Sequence, residues 1–136
     1  MAVDKKMLSF AAEIAIKVHD RQLDNRTFLF GAVGIRKDGV IVTSRNIAAP
    51  DFAPGHHAET RLARKLTPGS TVWITRVARK DGEWALARPC PGCERRLRAA
   101  GVEKVIYTIG PNEWGILDLK EKCNENPYPR RRRRTT

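Results

Sequence analysis

Apolar positions along the chain switch between two spacings, and the switches mark the elements. In Asp4–Asp20 (DKKMLSFAAEIAIKVHD) Met7, Ala11, Ile14 and Val18 recur at three- and four-residue steps, the stripe of an amphipathic helix. Thr27–Ile35 and Val40–Ser44 are short runs of strand-forming residues on either side of Lys37-Asp38-Gly39, a turn sequence that predicts a hairpin. His57–Leu66 (HAETRLARKL) returns to helical spacing. Thr71–Val77 (TVWITRV) alternates and is rich in β-branched residues, and a second turn, Lys80-Asp81-Gly82, follows it. Pro91 suits a first helical position and leads into the run Glu94–Ala100 (ERRLRAA). Val105–Ile109 and Trp114–Leu117 are joined by Gly110-Pro111-Asn112-Glu113, too short for a crossover, so the last strand is expected to run antiparallel. The order predicts a three-layer α/β/α fold around a mixed five-stranded sheet. The first helix is expected on one face and the other two on the opposite face.

Two short motifs sit at the starts of those two helices. His57-Ala58-Glu59 precedes Pro89-Cys90-Pro91-Gly92-Cys93 by thirty positions, supplying one imidazole, two thiols and one carboxylate. A catalytic zinc takes three protein ligands and leaves its fourth position to water, whereas a structural zinc closes all four. His57, Cys90 and Cys93 make three. Zinc brings the pKa of bound water from 15.7 toward roughly 7, so a hydroxide nucleophile is available at neutral pH. Glu59 is then the proton carrier. It takes the water proton, delivers it to a ring nitrogen and assists departure of an amino group as ammonia. Residues two apart in a helix interior face different ways, so His57 and Glu59 converge only at a helix end. Backbone amides at a helix start also favour the thiolate form of Cys90 and Cys93. H-x-E with P-C-x-x-C is the signature of zinc deaminases of nucleobases.

Other readings of the cysteines account for less of the sequence. A redox CxxC leaves His57-Ala58-Glu59 unused, and a structural zinc knuckle completed by Cys123 or His56 has no role for Glu59. Cys123 and His19 read as bystanders. His56 reads either as a substrate contact or as a loop residue.

Over roughly residues 4 to 118 the chain resembles the cytidine deaminase superfamily. Beyond the zinc motif, Gly31-Ala32-Val33, Lys37-Asp38-Gly39-Val40-Ile41 and Asn46 are similar to that family's first hairpin, which ends in an Asn that contacts the substrate ribose. The resemblance implies a sugar contact for Asn46, eleven residues before His57, where the plain alternative is a turn residue. It implies further substrate contacts at Ala58 and His56, and a zinc ion (Zn2+) as cofactor. Parallel fifth strands are familiar in tRNA adenosine deaminases, deoxycytidylate deaminases and vertebrate polynucleotide cytosine deaminases. The short Gly110–Glu113 link instead resembles the hairpin-ending branch, which includes free cytidine deaminases and several deaminases of nucleic acids.

Composition narrows the setting. A chain of 136 residues suits one domain, read as 1–123, followed by a Pro- and Arg-rich tail, 124–136, expected to be disordered. No stretch approaches 18 apolar residues, so no membrane helix is expected, and Glu13 interrupts any signal-peptide core. A cytoplasmic location follows, or a nuclear one if the arginine run is a localisation signal. Net charge is +11, to which Arg130, Arg131, Arg132, Arg133 and Arg134 contribute five. The body stays basic without them: Arg61, Arg64 and Lys65 share the helix of Glu59, and Arg95, Arg96 and Arg98 that of Cys93. These cations read as a nucleic-acid groove or as solvated helix faces, and the tail as a polyanion binder, a localisation signal or a solubility device. Trp84 reads as a core residue or a base-stacking one. The expected activity is conversion of cytosine to uracil in single-stranded DNA or RNA. Free cytidine, deoxycytidine or their monophosphates are the alternative substrate, with adenosine in RNA less favoured. The partner is therefore a cytosine-containing nucleic acid or nucleotide, and self-association is left open.

Overall fold

The computed structural model describes residues 2–16, 28–46, 58–78 and 80–119. In chain order these form α1 (Ala2–Ile16), β1 (Phe28–Ile35), β2 (Ile41–Arg45), α2 (Ala58–Ala63), β3 (Thr71–Ala78), β4 (Trp84–Ala85), α3 (Pro91–Ala99), β5 (Lys104–Gly110) and β6 (Glu113–Asp118). The strands make one mixed sheet with the path β2-β1-β3-β5-β6, and β4 pairs with β3 beside that path. The five expected strands are present, β6 antiparallel to β5 as the short link requires. The sixth, β4, has two residues, too few for any periodicity to announce it.

Strand alternation sorts the core into two layers. Val72 and Ile74 of β3 join Ala32, Val105, Leu62 of α2 and Leu97 of α3 on one face. On the other face Trp73 and Ile106 pack with Leu8 of α1, and Val77 with Ala15. The three-layer α/β/α arrangement follows, with the first helix alone on its side. The helical stripe is realised as Leu8, Ala11, Ile14 and Ala15, all buried, with Met7 at its margin and Val18 outside the described residues. Two polar contacts tie α1 down: Trp73 Nε1 donates to Asp4 Oδ1 (3.0 Å), and the buried Thr75 Oγ1 donates to the Leu8 carbonyl (2.7 Å). Trp84 packs against the Leu8–Trp73–Ile106 cluster, as its core reading requires.

Element ends shift where turn chemistry intervenes. β2 begins at Ile41 instead of Val40, because Val40 closes the turn: its N–H donates to Asp38 Oδ1 (3.1 Å), and its carbonyl accepts from Arg36 N–H (2.9 Å). That backbone donor, with Arg36 next to it, holds the Asp38 carboxyl below its ordinary pKa. Gly39 takes φ +89 there. α2 is shorter than the pattern suggested, ending at Ala63. Its last turn tightens to three-residue bonds, Lys65 N–H to the Leu62 carbonyl and Leu66 N–H to the Ala63 carbonyl, before Thr67-Pro68 stops the helix.

Gly31 shows how closely α1 rides on the sheet. A methyl group built on it would overlap the Ala11 carbonyl oxygen and crowd the Ala15 amide, both backbone atoms. Gly31→Ala is therefore expected to cost roughly 1–3 kcal/mol, as overpacking of a tight core does. A urea midpoint equal to that of the parent chain would show that α1 can move off without penalty.

Candidate metal centre

Chain direction and packing relate the two motif-bearing helices to the sheet. β2 and β3 are each antiparallel to β1 and so run the same way. α2 follows β2 along the chain, and α3 follows β3 by way of β4, which runs back along β3. Both helices pack on the same face, Leu62 against the cluster that holds Leu97. Open α/β sheets bind ligands at the carboxyl edge of their strands, and both helices follow strands that run the same way.

Cys90 is the N-cap of α3, with extended backbone (φ −69, ψ 164), and Pro91 occupies the first turn. Cys93 N–H donates to Cys90 Sγ at 3.5 Å, and Glu94 N–H donates to the Cys90 carbonyl at 2.8 Å. Two sulfurs are thus held one helical turn apart at an amide-rich helix start. Cys90 is exposed and Cys93 buried. This donor set suits a thiophilic, tetrahedral ion and could supply two of its ligands. Among the described residues no group of three or more His, Cys, Asp or Glu side chains converges. His57 and His56 lie outside the described residues. Ala58 and Glu59 open α2, but their side chains are likewise outside the description.

Asn46 stands at the carboxyl end of β2, level with Phe30. Its Oδ1 accepts from Phe30 N–H (2.9 Å), and its own N–H donates to the Phe30 carbonyl (3.2 Å). The side-chain carbonyl thus bonds the backbone of the neighbouring strand. An Asn amide also carries two donors on Nδ2, the end on which a sugar contact would depend.

Of the body cations, Arg64, Arg95 and Arg96 are exposed. Lys65 donates to the Thr43 carbonyl (2.7 Å), and Arg98 to the Leu119 carbonyl (3.0 Å) and Glu94 (3.2 Å). Arg98 therefore serves the fold. Glu94, which begins the run ERRLRAA, is buried at 2% exposure, and its Oε1 meets no hydrogen-bond partner among the described residues. Arg76 went unremarked in the sequence, although it follows Val72 and Ile74 at two-residue steps and so shares their face. Its guanidinium carbon stands 5.8 Å from the Phe30 ring centroid, and NH1 donates to the Leu86 carbonyl (3.5 Å). Residues 120–136, which hold Cys123 and Arg130–Arg134, are outside the described residues.

A mixed sheet thus lies between one helix and two, with paired thiols at a helix start. The model of the cytidine and deoxycytidylate deaminase zinc-binding region matches residues 5–109, and the chain belongs to that family. The fold is similar to the cytidine deaminase from Burkholderia pseudomallei, with TM-score 0.63 and 16% identity over 85% of this chain and 91% of that one. It is also similar to the cytidine deaminase from Mycobacterium leprae (TM-score 0.58, 17% identity, 85% and 92% covered). For the Bacillus anthracis cytidine deaminase the values are 0.52, 18%, 87% and 84%. At such identities the likeness concerns the fold. Comparison with curated protein sequences gave no match. Family membership supports zinc as the cofactor and hydrolytic deamination of a cytosine-type base as the general activity. No described helix is long and apolar enough to cross a membrane.

Proposed function

We propose that the chain is a zinc-dependent deaminase that converts cytosine to uracil within single-stranded DNA or RNA. Zinc, held by His57, Cys90 and Cys93, supplies when bound a water activated for attack at neutral pH. Glu59 moves the protons: its carboxylate takes one from the water, passes it to the ring nitrogen and assists loss of ammonia. Asn46 orients the sugar, and His56 and Ala58 line the base. The polymer is favoured by one observation, the exposure of Arg64, just past the end of α2, and of Arg95 and Arg96 on α3. A mononucleoside needs no such array, whereas a phosphate chain does. The arginine run Arg130–Arg134 extends the same basic character beyond the domain.

Product analysis by mass spectrometry on cytidine, deoxycytidine, their monophosphates and single-stranded oligonucleotides tests the substrate directly. Uracil is expected in the oligonucleotides at the highest kcat/KM. Efficient turnover of free cytidine with none in the polymer would assign the chain to nucleoside metabolism instead. Deleting Arg130–Thr136 adds a second readout. Each phosphate neutralised on a single strand contributes about −0.7 to the slope of log affinity against log salt, so losing five arginines removes at most about 3.5 from its magnitude. An unchanged slope would take the tail out of substrate binding.

A further inference from the structure

The sheet splits where it delivers Cys90, and one buried hydroxyl holds the split. β3 and β5 pair in parallel only from Thr71 with Lys104 to Ile74 with Tyr107. Beyond that point β4 enters beside β3, with Arg76 opposite Ala85 and Val77 opposite Trp84. Wedging a third strand into a parallel pair leaves backbone groups without their regular ladder partners. Buried amides and carbonyls in that state are costly unless another group satisfies them.

Thr108, the β5 residue just past the parallel pairing, answers for them. It is fully buried. Its Oγ1 donates to the Ala85 carbonyl at 2.6 Å and accepts from Arg76 N–H at 3.3 Å. Its main-chain carbonyl accepts from Ala87 N–H at 2.9 Å. A hydroxyl both donates and accepts at one atom, so a single side chain joins β3 to β4, and both to β5. Valine has nearly the same shape and can do neither.

The consequence lies five residues downstream. Ala85, Leu86 and Ala87 are each fixed, by Thr108 Oγ1, by Arg76 NH1 and by the Thr108 carbonyl in turn. Ala87 and Pro89 are buried, and the next residue is Cys90, the N-cap that starts α3. Only Arg88 and the buried Pro89 separate the clamp from the thiol, which leaves little chain to absorb an error in placement. We infer that Thr108 is a positioning residue for the metal centre: its hydroxyl sets where Cys90 stands relative to the carboxyl end of β3, and hence the affinity for zinc. This inference rests on the reading of Cys90 as a zinc ligand.

The test compares Thr108→Val with Thr108→Ser, titrating zinc against a chromogenic chelator at a temperature where both variants are fully folded. The valine variant is expected to bind zinc about ten- to hundredfold more weakly, the range typical of residues that orient ligands without touching the metal. Serine keeps the hydroxyl and is expected to stay within about threefold of the parent. A purely structural role would lower the melting temperature of the zinc-free valine variant without moving zinc affinity in the folded protein. Affinity within twofold of the parent would thus overturn the inference. Should the valine variant not fold, Thr108→Ala is titrated in its place with the same expected direction and the same overturning result. A parent protein that binds no zinc, or binds it equally well after Cys90→Ser, refutes the ligand assignment and not the clamp.

Discussion

Replacing Cys93 with alanine is expected to remove zinc and lower the melting temperature together. Cys93 is buried, so its sulfur is held in place by packing and by the first turn of α3. Losing a direct ligand should weaken zinc binding by more than the roughly 10–100-fold seen when only an orienting neighbour is lost. Metal that binds the folded chain stabilises it by mass action, about 2.7 kcal/mol when free zinc is a hundred times its dissociation constant. For a domain of this size that is worth roughly 10 °C in Tm. The zinc-free parent and the zinc-free variant should differ far less, which separates metal loss from the small packing defect of a missing sulfur. Cys90→Ser provides a sharper control. Serine is among the preferred N-caps and retains an oxygen that can accept from the Cys93 amide, so α3 keeps its start while the metal loses a thiolate. Metal content by elemental analysis decides the matter: stoichiometric zinc in Cys93→Ala would exclude that thiol from the site.

Much of this arrangement could be read from the chain because its cues are local. The Lys37-Asp38-Gly39 turn, the alternation in Thr71–Val77 and the Cys90-Pro91 helix start each specify geometry within a few residues. The link from Gly110 to Glu113 fixes the direction of β6 by length alone. The elements that escaped depend on partners distant in sequence. β4 exists because Thr108, more than twenty positions later, supplies the hydroxyl that receives it. Glu94 lies in a strongly charged run, yet α3 turns it inward, where Arg98 meets one of its oxygens. Leu8 displaces Met7 at the centre of the α1 contact because the helix rotates to bring the Ala11 backbone against Gly31. Arg76 carries a period-two signal, but only the fold shows that Phe30 and Leu86 stand beside it.

In the proposed mechanism Glu59 differs in kind from the metal ligands, because it moves protons and binds no metal. Glu59→Ala is expected to retain zinc at the parent stoichiometry while kcat falls roughly 10²–10⁴-fold, the usual contribution of a positioned acid–base group. That is about 3–5 kcal/mol of barrier. Stability should barely change. Glu59 opens α2, where alanine is the better helix former and the lost attraction to the helix start is only about 0.3–1 kcal/mol. Glu59→Gln keeps the size and one acceptor but cannot take up a proton, so it should be nearly as slow. If slowness arose instead from misplaced substrate, KM would rise in both variants while kcat recovered in the glutamine form. The outcome that would sink the assignment is loss of zinc from Glu59→Ala, because a carboxylate whose removal empties the site is a ligand, and the protons must then move through another group.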